Sequence, residues 1–430
     1  MEYARIMTRY LCAPDSFKES LTAMQAAEAM ARGIENADRD AEIRCLPMAD
    51  GGEGTVRALV DATGGTMHAV PVHDPLGRLI EGRFGVLADG ATAVVETAEA
   101  SGLARLNAEE RNPLIASSYG TGELLLAAAR LGVRRIIVGL GGSATNDAGA
   151  GLLQSLGVRL LDANGDELGR GGAALADVSV IDITTMDPVI GNVSIIAACD
   201  VTNPLTGPTG ASAVFGPQKG AGADDVATLD AALAHFARLI ESRFGVDVSD
   251  VPGAGAAGGI GAALKGFFGA EFRSGVDIVI EQSGLDEAVR WADVVFTGEG
   301  AIDAQTGFGK APAGVAGAAK RYGKPVVAVA GCVGGGNRRA VWTRHRRGFR
   351  HRARRFEPQR PAGRCGRQCD AHHRADRTGH ADEMTVSSSR LPGHMAYGGG
   401  REKREKWTSL SDCHSVITVF DYHCVELSVV

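Results

Sequence analysis

Aromatic side chains are scarce in this chain. Its 430 residues hold 3 Trp, 6 Tyr and 13 Phe, or 5%. No apolar run reaches the roughly 18 residues of a bilayer span, so no membrane partner is expected. No apolar stretch follows Met1-Glu2-Tyr3-Ala4-Arg5-Ile6, so nothing reads as a secretory leader, and Met7 is an alternative start. Cysteine is sparse, at 8. Cys12, Cys45, Cys199 and Cys332 are scattered over strand-like runs and read as reduced thiols of a cytoplasmic protein. Cys365 and Cys369, near His372 and His373, lack zinc-site spacing and a second ligand pair. There is no GxxxxGK[ST] loop and no HRD set, which excludes the P-loop and protein-kinase architectures. No internal repeat is present.

Glycine, in contrast, is abundant. With 59 Gly and 44% hydrophobic residues, the composition suits an α/β enzyme with glycine turns at its strand ends. The densest such turn organises the reading: Gly139-Leu140-Gly141-Gly142-Ser143-Ala144-Thr145-Asn146-Asp147-Ala148-Gly149-Ala150-Gly151. The apolar run Arg134–Val138 before it reads as a buried strand, and Leu152–Leu156 after it as a helix ended by Gly157. A turn of this kind leaves N–H groups at a helix N-terminus, where an anion is favoured. Asn146-Asp147 would repel phosphates unless a cation intervened, which points to a metal-nucleotide. Two other readings stand beside this one. Gly139-x-Gly141-x-x-Ala144, with Asp162 ending the next strand, fits a loose nicotinamide fingerprint. The turn could also serve close packing alone.

Similar strand-to-loop junctions recur along the chain. Arg9–Ala13 runs into Pro14-Asp15-Ser16-Phe17-Lys18, and Thr22 with Gln25 forms a capping-box signature for a helix to about Asn36. Lys18 then lies where open α/β sheets bind ligands, unless it is merely solvated. Ile43–Pro47 leads to Asp50-Gly51-Gly52-Glu53-Gly54, whose carboxylates can bind metal or a substrate hydroxyl, or cap a helix. Val193–Cys199 ends in Asp200 and Asn203, followed by Phe215-Gly216-Pro217-Gln218-Lys219-Gly220. The run Pro252–Gly261 fits a hinge, packing or a phosphate cradle equally. Asp293–Thr297 ends in Gly298-Glu299-Gly300 with Asp303, and Lys310 precedes Pro312; Pro325–Gly331 is the last clear strand. Two α/β domains are expected: a discontinuous Rossmann-like one over 1–66 plus 285–336, and an inserted one over 67–284.

The remainder, 337–430, differs in kind. Residues 1–336 carry 26 Lys and Arg against 41 Asp and Glu, whereas 337–430 carry 19 against 10. Fourteen Arg lie between Arg338 and Arg377, without helical or strand period. A basic tail suggests nucleic acid, but a shifted reading frame fits better. One set of allowed codons from Gly336 to Arg352, read one base later, spells a helix, a glycine stop and a strand. The tail is therefore expected to be aberrant or disordered, with no nucleic-acid partner.

Six blocks together resemble the type-1 bacterial glycerate kinases: Ala13–Lys18, Ala49–Gly54, Gly141–Gly149, Cys199–Leu205, Phe215–Gly220 and Thr297–Gln305. The resemblance runs from about residue 8 to 333. It implies two α/β domains with the site in the cleft between them. The implied reaction is ATP- and Mg²⁺-dependent phosphorylation of D-glycerate to 2-phosphoglycerate, with 3-phosphoglycerate as the other product to consider, in the cytoplasm and with a homodimer left open. Carried onto matching positions, Asp200 and Lys18 would be catalytic. Ser16, Asp50, Gly51, Gly52, Glu53 and Asn203 would bind substrate. Gly141, Gly142, Ser143, Asn146, Lys219, Gly298 and Asp303 would bind nucleotide, and Asp147 and Glu299 the metal. An NAD(P)-dependent oxidoreductase and a degenerate non-catalytic protein are the competing readings.

Overall fold

The computed structural model describes residues 7–18, 20–302, 306, 310–333, 416–420 and 425–428, with the side chains of 333 and of the last two segments left aside. It is a mixed α/β fold built on two six-stranded sheets. The chain starts in β1 (Arg9–Cys12), α1 (Ala23–Ala37), β2 (Glu42–Cys45) and α2 (Thr55–Thr63). It then passes to β3 (Thr66–His73), β4 (Leu79–Val86), β5 (Thr92–Glu96), α3 (Thr97–Ser101), α4 (Tyr119–Arg130), β6 (Arg135–Gly139), α5 (Ala150–Ser155), β7 (Arg159–Leu161), β8 (Val180–Asp182) and β9 (Ser194–Ala198). Next come α6 (Ala211–Phe215), α7 (Ala223–Phe244), α8 (Ile260–Phe268), β10 (Glu271–Arg273), α9 (Gly275–Ser283) and α10 (Leu285–Trp291). The described chain closes with β11 (Val294–Ile302), α11 (Ala311–Arg321), β12 (Val326–Val333), β13 (Val416–Phe420) and β14 (Val425–Ser428).

One sheet runs β14-β13-β12-β11-β1-β2, parallel from β12 to β2. The other runs β10-β9-β6-β5-β4-β3, parallel from β10 to β5, with β4 and β3 antiparallel at its edge. The buried apolar runs Ala93–Val95, Ile136–Val138 and Ile195–Ala198 within β5, β6 and β9 are what strands covered on both faces require. The sheets share one core: Leu11 and Val295 from the first and Val94, Ile137 and Ile196 from the second join one buried cluster with α2, α9 and α10. A second cluster, on the other face of the β5-β6-β9 sheet, takes in Phe236 of α7 and Leu124 of α4.

Several expected elements are present. Thr22 caps α1 as expected: its hydroxyl accepts from Gln25 N at 3.2 Å while its own N–H donates to Gln25 Oε1 at 2.9 Å. Other boundaries move. β11 continues through Gly298-Glu299-Gly300 to Ile302 instead of stopping at Thr297, because β12 stays paired alongside it. β3 and the 22-residue α7 had no sequence signal singled out for them. In the basic tail, β13 and β14 lie antiparallel beyond β12; the rest of that tail lies outside the described residues.

Candidate active site

Parallel strands deliver their following loops to the same end of a sheet, and here the carboxyl ends of both sheets meet. Backbone meets backbone where they touch. A Cβ on Gly51 would lie 2.6 Å from the Cα of Gly275 and 3.4 Å from Asp200 Oδ2, and Gly51 has φ +94°, so glycine is required there. A Cβ on Gly141 would sit 3.5 Å from the Cα of Gly52, and one on Gly139 3.3 Å from the Gly51 carbonyl. The loops after β2, β6, β9 and β10 thus converge. Glu96, at the end of β5, ties the arrangement together by accepting from Val56 N at 2.7 Å and Gly54 N at 3.3 Å. Burial pushes its carboxyl up to about 7 against those two bonds.

The loop after β1 supplies Asp15. Its N–H donates to the Gly298 carbonyl at 2.8 Å, and Gly298 is buried in the sheet, a Cβ there falling 2.1 Å from the Val329 carbonyl of β12, rather than open to a ligand. Burial, followed by the nearby Asp50 carboxylate and by Glu299, pushes the Asp15 carboxyl up to about 7. Asp50 itself accepts from Gly52 N at 3.1 Å. Glu299, only 8% exposed, accepts from Thr306 Oγ1 at 2.6 Å and stands 3.6 Å from Lys310 Nζ. Asp200 is open on the cleft; Oδ1 accepts from Gly275 N at 3.0 Å. Desolvation, with Asp50 and Asp277, raises its carboxyl. The convergence therefore includes Asp15, Ser16, Asp50, Gly51, Gly52, Asp200 and Glu299, with the exposed Gly141 and Gly142 tip. Lys18 is exposed, with its backbone N against Gly300. Glu53 is exposed and adds to the field that raises Glu96. Asp303 lies outside the described residues.

Other expected site residues are turned inward. Asp147 is fully buried: Oδ2 accepts from Ser118 N, Ser118 Oγ and Gly151 N, and Oδ1 from Gly149 N, at 2.8 to 3.2 Å. That corrects its reading as a metal ligand, because its oxygens are spent on internal donors. It also corrects the anion site at α5. Ala150 N donates to the Asp147 carbonyl and Leu152 N to Ser118 Oγ, so the first turn of α5 has its donors satisfied internally. Asn146 is buried, donating from Nδ2 to Ser212 Oγ at 2.9 Å. Asn203 Nδ2 donates to the Thr209 carbonyl at 2.8 Å, which fixes its own turn. Lys219 is 2% exposed, and burial pushes its ammonium down to about 7 against the pull of Asp147. Among the described residues no group of three His, Cys, Asp or Glu could by itself hold a metal. The Pro252–Gly261 run resolves to packing: a Cβ on Gly258 would lie 1.9 Å from the Thr145 carbonyl. On the two sides of that contact sit Ala148 and Ala257, both with positive φ.

The glycerate kinase family model matches residues 10–350. The chain belongs to the glycerate kinase family. It is 51% identical over 330 residues to the glycerate kinase of Halalkalibacterium halodurans, covering 77% of this chain and 87% of that one. It is 50% identical over 323 residues to the Escherichia coli glycerate 2-kinase, covering 75% and 85%. Among solved structures, the putative glycerate kinase 2 from Salmonella typhimurium LT2 superposes with a TM-score of 0.73 at 49% identity, covering 76% of this chain and 87% of that one. Membership makes the chain a kinase and bears out the resemblance that the six blocks carried. Asp15, Glu96, Gly275 and Thr306 were not singled out as site residues. Asp15 lies inside the Ala13–Lys18 block, and the signal for Glu96 is a carboxylate directly after the apolar Ala93–Val95.

Proposed function

We propose that this kinase transfers the γ-phosphoryl group of ATP to the 2-hydroxyl of D-glycerate, giving ADP and 2-phosphoglycerate. One observation carries the reading: Asp15, Asp50 and Asp200, from loops after three strands of two sheets, and Glu299, from within β11, gather around a gap floored by glycine backbone. Phosphoryl transfer asks for positioning and charge compensation more than covalent chemistry; the gap offers the positioning, and its carboxylates would offer compensation through a bound cation. Asp200, open on the cleft, accepts the proton of the attacking hydroxyl as its oxygen bonds to the γ-phosphorus and the bond to ADP breaks. Lys18 meets the glycerate carboxylate, with Ser16 and Asp50 on the substrate side. The exposed Gly141-Gly142 tip, with Ser143 just beneath it, takes phosphate oxygens.

The like charges suit a cation that keeps water and phosphate oxygens in its shell, as Mg²⁺ does. Glu299 and Asp50 are the residues that would hold it, and Mg²⁺ bound there would neutralise charge gathering on the phosphates. The satisfied first turn of α5 speaks against a nicotinamide pyrophosphate at this loop. Supporting the two-domain division, the sheets are built from residues 9–45 and 294–333, with the two tail strands, and from 66–273. Scattered unpaired cysteines fit a cytoplasmic enzyme.

The test is an ATP-consumption assay with D-glycerate and Mg²⁺, the product resolved by phosphorus NMR. The expected product is 2-phosphoglycerate. A 3-phosphoglycerate signal would overturn the choice of hydroxyl, and no ATP turnover alongside glycerate-dependent NADH chemistry would overturn the kinase reading.

A further inference from the structure

We propose that Lys219, sealed beneath the glycine-rich loop, commits the Ser143 hydroxyl to donating toward a phosphoryl oxygen of ATP, and so acts as a positioning residue for the nucleotide. The inference rests on the phosphotransfer reading above. Lys219 Nζ lies 2.9 Å from Ser143 Oγ and 2.7 Å from the Thr145 carbonyl. As an ammonium Lys219 has donors only, so in that form Ser143 Oγ accepts from it, and the serine's own O–H is left to donate elsewhere. Among the described residues nothing accepts that O–H. Ser143 adjoins Gly141 and Gly142, the exposed tip of the loop facing the cleft.

Both partners are held in place. Leu103 N donates to the Gly142 carbonyl at 2.8 Å and Ala144 N to the Ser101 carbonyl at 2.8 Å, so the Ser143 backbone is clamped on each side. Lys219 ends the tight Pro217–Lys219 turn. Gly220 follows with φ +99°, and a Cβ there would sit 2.2 Å from the Arg111 carbonyl. A rigid donor aimed at an incoming anion costs no reorganisation when the nucleotide arrives. Stability alone gives little reason for the arrangement. Burying an ammonium is expensive, and an apolar side chain of similar volume often serves a fold as well. The nearby Asp147 carboxylate, whose oxygens are engaged by other donors, favours keeping that charge.

The experiment is a double-mutant cycle on the full chain with Lys219→Met, Ser143→Ala and the pair, reading KM for ATP, KM for D-glycerate, kcat and Tm. Lys219→Met should raise the ATP KM roughly tenfold or more while moving the glycerate KM less than about twofold. Ser143 is only 5% exposed, just beneath the Gly141-Gly142 tip, so Ser143→Ala removes one hydroxyl there and should raise the ATP KM on its own. The pair should be no worse than the worse single variant, because both remove one donor. Ser143→Thr, which keeps the hydroxyl, should rescue. An unchanged ATP KM in Ser143→Ala, multiplicative losses in the pair, or equal rises in both KM values with a large Tm drop would each overturn the proposal in favour of a purely structural lysine. A wild-type chain that consumes no ATP with glycerate would instead defeat the phosphotransfer reading beneath it.

Discussion

Two glycine-rich loops of this chain, Asp50–Gly54 and Gly139–Gly151, have much the same composition and opposite fates. Both follow a parallel strand, both precede a helix and both carry carboxylates. In the first, Asp50 accepts a single local N–H and otherwise faces Asp15 and Asp200 across the cleft. In the second, Asp147 is folded under and saturated by four donors. What separates them is the neighbour. The first loop abuts glycine backbone at Gly275 and Gly141 and leaves Asp50 on the cleft, whereas the second is covered by the Pro252–Gly261 run and the Lys219 turn. Asp50 stays uncovered and free for the chemistry proposed above, whereas Asp147 is a structural clasp beneath another loop.

The comparison can be broken at its strongest point first. Asp147→Ala should leave Ser118 and the first turn of α5 with buried, unpaired donors, costing about 3–5 kcal/mol of stability. A thermal melt should show it, together with loss of soluble protein. If the variant melted like the parent and only its activity fell, Asp147 would belong to the chemistry after all. Asp200→Asn should do the reverse, lowering kcat by roughly a hundredfold or more with the melt nearly unchanged. An intact kcat would return Asp200 to a structural role.

A smaller effect sharpens the contrast through pH. Asp15 has a carboxyl raised to about 7 in the fold. Between the unfolded carboxyl range and pH 7 the native state therefore holds the extra proton, and stability falls as pH rises through that window. Asp15→Asn keeps the neutral form at every pH. Melts without metal should show the variant gaining on the order of 2 kcal/mol over the parent at pH 8, with the gain vanishing near pH 4, while glycerate phosphorylation drops. Glu96, raised for the same reason of burial, gives the parent a parallel slope that Asp15→Asn leaves in place. A variant less stable than the parent at pH 8 would show that Asp15 is not a burdened carboxylate.

The sequence alone determined the mixed α/β class, the strand-to-loop junctions, the capping box at Thr22 and the six blocks that mark the family. Each is written in local spacing or in an ordered set of short motifs, and such signals survive without coordinates. That Asp50, Gly51 and Asp200 share a site was implied by the family resemblance, and their places at strand ends are compatible with it. Only the tertiary structure decided which side of each loop faces water. Asp147, Asn146 and Lys219 sit in motif positions as prominent as Asp50, yet other segments bury them from tens of residues away. The length of β11 was likewise settled by β12 lying alongside it. Asp15 became a candidate because burial, together with Asp50 and Glu299 from elsewhere in the chain, raises its carboxyl. Burial and electrostatic coupling are sums over neighbours in space, and a linear sequence does not state who those neighbours are.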